Sequence, residues 1–105
     1  KKISEIVATA LSLNRVPIRL TEERWLHILR HHEELQPFQH EIMLTISTPD
    51  ALYLSPPPTK PNFAAVKTFR RLREAGLAEN LVVHYREVSL SDGFILTALE
   101  CQTRG

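Results

Sequence analysis

The pattern of apolar positions changes period several times along the chain. In "ISEIVATALSL" (3–13) it fits either a strand or a helix. "VPIRL" (Val16–Leu20) reads as a short extended segment, with Pro17 marking an edge position. From Thr21 the period becomes helical. Thr21 suits an N-cap, and Glu22 and Glu23 occupy the first turn, where the helix dipole favours acids. This helix is expected to run to about Glu34. Pro37 suits the first position of a second helix, extending to about Ser47 with Phe38, Ile42, Met43 and Ile46 on one face. "TPD" (Thr48–Asp50) ends it.

"ALYL" then reads as a short strand and "SPPPTKP" (55–61) as a stiff, extended connection. Residues 63–75 carry two signals. Propensity favours a helix capped by Asn62 and stopped by Gly76, while Val66, Thr68, Arg70 and Leu72 also alternate with Lys67, Phe69, Arg71 and Arg73. "LVVHYREV" (Leu81–Val88) and "FILTALEC" (Phe94–Cys101) are rich in β-branched and aromatic residues and predict strands. "SLSDG" between them supplies turn chemistry, so the two form a hairpin. Helices followed by an antiparallel sheet make an α+β domain.

Composition adds limits. The 105 residues, 43% hydrophobic and 24% charged, suit one domain spanning 1–105 with one modest core, and the opening Lys1 raises the expectation of a processed piece or a domain cut from a longer polypeptide. Net charge is only +1, so the field of the whole molecule predicts no polyanionic partner. The distribution is uneven. Lys60, Lys67, Arg70, Arg71 and Arg73 make residues 60–73 basic, whereas Glu22, Glu23, Glu33, Glu34, Glu41 and Asp50 dominate residues 20–50. Cys101 is the only cysteine, which excludes an internal disulfide and a CxxC zinc site. No apolar run approaches the roughly 20 residues that span a bilayer, and no signal-peptide pattern opens the chain. A cytoplasmic location without membrane partners is the expectation.

"RWLHILRHHEEL" (Arg24–Leu35) holds His27, His31 and His32. At about 100° per residue, Trp25, Ile28, Leu29 and Leu35 form the buried arc; His32 falls inside it, while His27 and His31 flank it. The four-residue spacing of His27 and His31 matches two metal ligands on one helix, with His40 or Glu34 as a third. A metalloprotease helix would have glutamate where Ile28 stands, so that reading fails. Histidine also serves acid–base chemistry near neutral pH, and it is often an ordinary partly buried residue. Arg70 and Arg71 could hold phosphate through planar, bidentate donors, or form a solvated face. In the first predicted strand of the hairpin, Val82, His84, Arg86 and Val88 share one face, so His84 and Arg86 could line a site. In the second, Thr97 shares a face with Ile95 and Leu99. A glycine-rich phosphate loop and a serine-hydrolase elbow are both missing.

Three stretches, taken together, carry a resemblance. "IRLTEERWLHILRHHEEL" is similar to a motif Leu-Thr-x-Glu-Arg-Trp-x-His-Ile followed by His-Pro-Glu-Leu; "STPDALY" to a Pro-Asp-x-Ile/Val-Tyr turn and strand; and "LVVHYREVSLSDGFILTAL" to a hairpin ending in Phe-Ile-x-Thr-Ala-Tyr. The set resembles the phage- and toxin-associated branch of the barnase/EndoU/colicin/RelE-like ribonuclease superfamily, over Arg19 to Leu99. The resemblance implies N-terminal helices packed on a four-stranded antiparallel sheet, with residues 65–73 as a strand. It implies a toxin-type, metal-independent endoribonuclease without cofactor, acting on RNA by 2′-hydroxyl attack and neutralised by an antitoxin or immunity protein. His27 and His32 match the family's two histidines and Thr97 its threonine. The basic residues Arg70 and Arg71, with Arg86 and His84, would then bind substrate. Two positions depart from the pattern: Glu33 replaces a proline and Leu99 a final aromatic. These departures motivate the alternative of a catalytically inactive RNA- or protein-binding module. A metal-dependent hydrolase built on His27 and His31 is a third possibility.

Overall fold

In the computed structural model of the chain, the described residues are 5–55 and 62–102. The connection "SPPPTKP" lies outside them, apart from Ser55. The described residues begin with a β-hairpin, β1 (Ile6–Leu11) and β2 (Pro17–Thr21), and not with helices. Helices α1 (Glu22–His31) and α2 (Gln39–Ser47) follow, joined by a 3-10 turn over Glu33–Phe38. Next come β3 (Ala51–Leu54), β4 (Asn62–Thr68), the short α3 (Arg70–Glu74), β5 (Asn80–Ser89) and β6 (Asp92–Cys101).

The six strands form one mixed sheet in the order β1-β2-β6-β5-β4-β3. The expectation of N-terminal helices on a four-stranded antiparallel sheet is therefore corrected. Within "ISEIVATALSL", Ile6–Leu11 forms a strand because it pairs with β2, turning Ala8 and Ala10 toward the core beside Leu20 and Ile18. The hairpin then joins the sheet through a parallel contact between β2 and β6, at Ile18–Gly93 and Arg19–Phe94. Pro17 is correspondingly not on an edge strand. It is tolerated as the first residue of β2, ahead of the β6 pairing, where its missing N–H costs no ladder bond.

Helix α1 starts where the sequence indicates, with the Thr21 hydroxyl accepting from the Arg24 N–H at 3.2 Å. It stops three residues early. His32 leaves helical geometry at φ −143°, and a 3-10 turn with three residues per turn brings both Leu35 and Phe38 inward. Pro37 sits inside that turn, so α2 begins at Gln39. Residues 62–76 contain both competing elements in succession. Strand β4 ends at Thr68, and α3 occupies 70–74, burying Leu72. The expected strand over 65–73 is thus cut short. Gly76, at φ +83°, ends α3 through bonds from its N–H to Arg73 and from Leu77 to Leu72.

All three helices cover one face of the sheet. Ile18, Leu20, Leu81, Val83, Tyr85 and Ile95 from the strands meet Ile28, Leu35, Ile42, Ile46 and Leu72, all essentially inaccessible to solvent. Tyr85 stacks on Phe63 at 5.2 Å. Its hydroxyl is buried and has no hydrogen-bond partner among the described residues. Burial, with help from the charge of Glu87, pushes the phenol up to about 12. The folded state holds this proton more tightly than the unfolded chain, whose tyrosines titrate near 10. Stability is complete below pH 10 and falls as pH rises through 10 toward 12. The loss is about 1.4 kcal/mol per pH unit between the two values, roughly 3 kcal/mol in all. In a Tyr53→Phe variant, phenolate absorbance should appear only near pH 12, together with a falling urea midpoint. A phenolate signal near pH 10 in the folded protein would contradict this.

Candidate functional site

Among the described residues the helices pack on one face of the sheet only, and the other face carries no helix. Residues paired across neighbouring strands share a face, so the register sorts this surface into rows. One row runs Thr9, Arg19, Phe94, Arg86, Asn62 across β1, β2, β6, β5 and β4. The adjacent row runs Thr97, His84, Ala64, Tyr53 across β6, β5, β4 and β3. Leu99, Val82, Val66 and Ala51 form an apolar row beyond it.

Thr97 belongs to this face because of a β-bulge. Tyr85 pairs with Ile95 but His84 pairs with Thr97, leaving Leu96 as an extra residue. The alternation expected from the sequence, with Thr97 beside Ile95, is therefore corrected. Ile95 and Ala98 point into the core, and Thr97 lies between them in the chain yet faces outward.

In the first row the Arg86 Nε–H donates to Asn62 Oδ1 at 2.8 Å, and its guanidinium lies 6.0 Å from the Phe94 ring centre. Arg19 forms a bidentate pair with Asp92, at 2.8 and 2.9 Å. The hydrogen bond from Arg19, and then its charge, hold the Asp92 carboxyl below its usual range, and Asp92 in turn raises Arg19. His84, Arg86 and Thr97, all candidates from the sequence, are thus neighbours. Arg19, Phe94 and Asn62 were not anticipated. The available signal was the alternation in "VPIRL", which turns Arg19 outward once Ile18 and Leu20 are inward.

The remaining candidates lie elsewhere. His27 and His31 meet edge-to-face at 4.9 Å on the outer flank of α1. His27 is pushed below the usual imidazole value by desolvation first, then by Arg24, His31 and Arg30, which favours its neutral form. His32 Nδ1 stands 3.4 Å from Glu34, an acid and not one of the arginines named as substrate-binding candidates. Partial burial works against ionisation of Glu34. Its own backbone N–H, Glu100 and His32 outweigh that and hold the carboxyl below its usual value. Glu100 pairs with the buried Leu81 and so belongs to the helix side, where one oxygen accepts from the Ala78 N–H at 2.9 Å. The His32 cluster and Thr97 consequently sit on opposite sides of the sheet. Arg70 is exposed on α3. Arg71 is committed to the buried carboxylate of Glu41 and packs over Phe38 at 5.0 Å.

Among the described residues, no three His, Cys, Asp or Glu side chains are placed to hold a metal ion, so His27 and His31 gain no third ligand from His40 or Glu34. Nor is any helix among them long and apolar enough to cross a membrane. No family model, curated protein or solved structure matches this chain.

Proposed function

We propose that the open sheet face binds RNA and that the chain is a metal-independent endoribonuclease of the toxin or effector type. One observation carries the reading: His84 and Thr97 are cross-strand partners, one row from Arg86, on the face the helices leave uncovered. The motif resemblance points to RNA. In this reading the His84 imidazole takes the proton from a ribose 2′-hydroxyl as its oxygen attacks the adjacent phosphorus. Arg86 neutralises charge growing on the phosphate oxygens, and the Thr97 hydroxyl bonds phosphate or orients the imidazole. The imidazolium returns a proton to the departing 5′-oxygen. The products are a 2′,3′-cyclic phosphate and a 5′-hydroxyl. The nucleophile belongs to the substrate, so the chemistry needs no cofactor.

A second reading, an RNA-binding module without turnover, is favoured by the positions of His27 on α1 and His32 just past its end, away from Thr97. Incubation of purified protein with mixed RNA in EDTA separates the two. Fragments ending in cyclic phosphate are expected. Intact RNA that is nonetheless bound would favour the module, and RNA neither bound nor cut would reject both. An antitoxin or immunity partner belongs to the same proposal, and co-purification with a neutralising protein would support it.

A further inference from the structure

The two arginines that flank Phe94 are held differently. Arg86 is held by a neutral amide, so its charge is uncompensated by that partner. Arg19 is clamped by a carboxylate whose two oxygens take two guanidinium N–H groups. A bidentate carboxylate presents the same pair of acceptors as the two non-bridging oxygens of a phosphodiester. The pair is reachable from solvent, with 35% of the Arg19 side chain and 43% of the Asp92 side chain exposed. Asp92 stands at the foot of the two-residue β5–β6 turn, paired with Ser89, so it is positioned by the hairpin itself.

We propose that Asp92 is an autoinhibitory carboxylate, occupying at Arg19 the place of an RNA phosphate. The inference rests on the RNA reading above and deepens it. Strands lie about 4.8 Å apart, so Arg19 and Arg86 are spaced by roughly 10 Å with Phe94 between them. A single-stranded RNA can stack a base on Phe94 while its phosphates reach both guanidinium groups. The Arg86 contact is open from the start. The Arg19 contact forms only when Asp92 gives way, so the resting protein binds RNA more weakly than its arginines allow.

The test is binding of a 12-nucleotide, fully 2′-O-methylated single-stranded RNA across a salt series. Asp92→Asn keeps the shape and removes the charge. It should bind about fivefold more tightly, because Arg19, held by Asp92 in the wild type, is free to contact a phosphate. Its log K against log salt should steepen by about 0.7, the value for one additional phosphate contact on a single strand. Adding Arg19→Gln to Asp92→Asn should return affinity and slope to wild-type values. Glu79→Gln, which removes a negative charge beside Arg73, controls for overall charge and should change neither. If the wild type binds and Arg86→Gln weakens it, but Asp92→Asn changes nothing or matches Glu79→Gln, the inhibitory role is overturned and RNA binding stands. If neither the wild type nor Asp92→Asn binds, both fall. Binding that appears only in Asp92→Asn supports the inhibitory role most strongly. Asp92→Ala provides the same comparison should the asparagine keep a bond to Arg19.

Discussion

Replacing His84 with alanine should lower RNA cleavage by about 10²–10⁴-fold, the usual contribution of a positioned acid–base group. The melting temperature should move by no more than a few degrees. The imidazole stands on the open face between Ala64 and Thr97, and the core neighbours Val83 and Tyr85 point the other way. Its removal leaves no internal cavity. His32→Ala is the informative comparison. That ring meets Glu34 on the helix side, so cleavage should stay within a few-fold of wild type. The opposite result, with His32→Ala inactive and His84→Ala active, would move the proton chemistry to α1 and defeat the open-face reading. A bell-shaped pH profile that flattens in His84→Ala would tie the effect to the imidazole.

The second large effect is expected at Gly93. An added Cβ there would lie 2.6 Å from the Arg86 carbonyl oxygen and 2.6 Å from the Ile18 Cδ1. The isoleucine tip can turn aside, but a carbonyl oxygen within a strand pair moves only with its backbone. Gly93→Ala should therefore cost about 1–3 kcal/mol, in line with other overpacked sites. For a domain of this size that is a fall of roughly 10 °C in melting temperature. Because Gly93 pairs with both Ile18 and Glu87, the strain reaches the row that carries Arg19, Phe94 and Arg86. RNA affinity should fall with stability. A variant melting within 2 °C of wild type would mean the ladder absorbs the methyl group by a shift absent from this packing.

The elements easiest to read from the chain were those with one dominant local signal. The β5–β6 hairpin announces itself through β-branched residues and a polar turn, and α1 through Thr21 and the acids behind it. Where two signals compete, tertiary context decided. Residues 62–76 hold a strand and then a helical turn because β4 has β3 and β5 to pair with, while Leu72 has the core to enter. The first hairpin was half hidden: "VPIRL" reads as extended, but β1 is a strand because it pairs with β2, which the ambiguous pattern of 3–13 does not announce. The site was half legible. Alternation in "LVVHYREV" put His84 and Arg86 on one face, and that held because β5 pairs with β4 without interruption from Asn80 to Arg86. Thr97 was assigned the wrong neighbours because one inserted residue, Leu96, reverses the alternation, and composition does not mark a bulge. Arg70 and Arg71 drew attention as local charge, yet a charge count does not reveal that Glu41 neutralises one of them inside the fold.

The parallel seam between β2 and β6 consists of two residue pairs and unites positions 18–19 with 93–94. Loop closure over such a span is entropically expensive before any contact compensates it. Arg19 can therefore join Phe94 and Arg86 only after residues through Phe94 have been synthesised. A ribosome-bound nascent chain that stops short of Asp92 holds neither the clamp nor the completed cationic row.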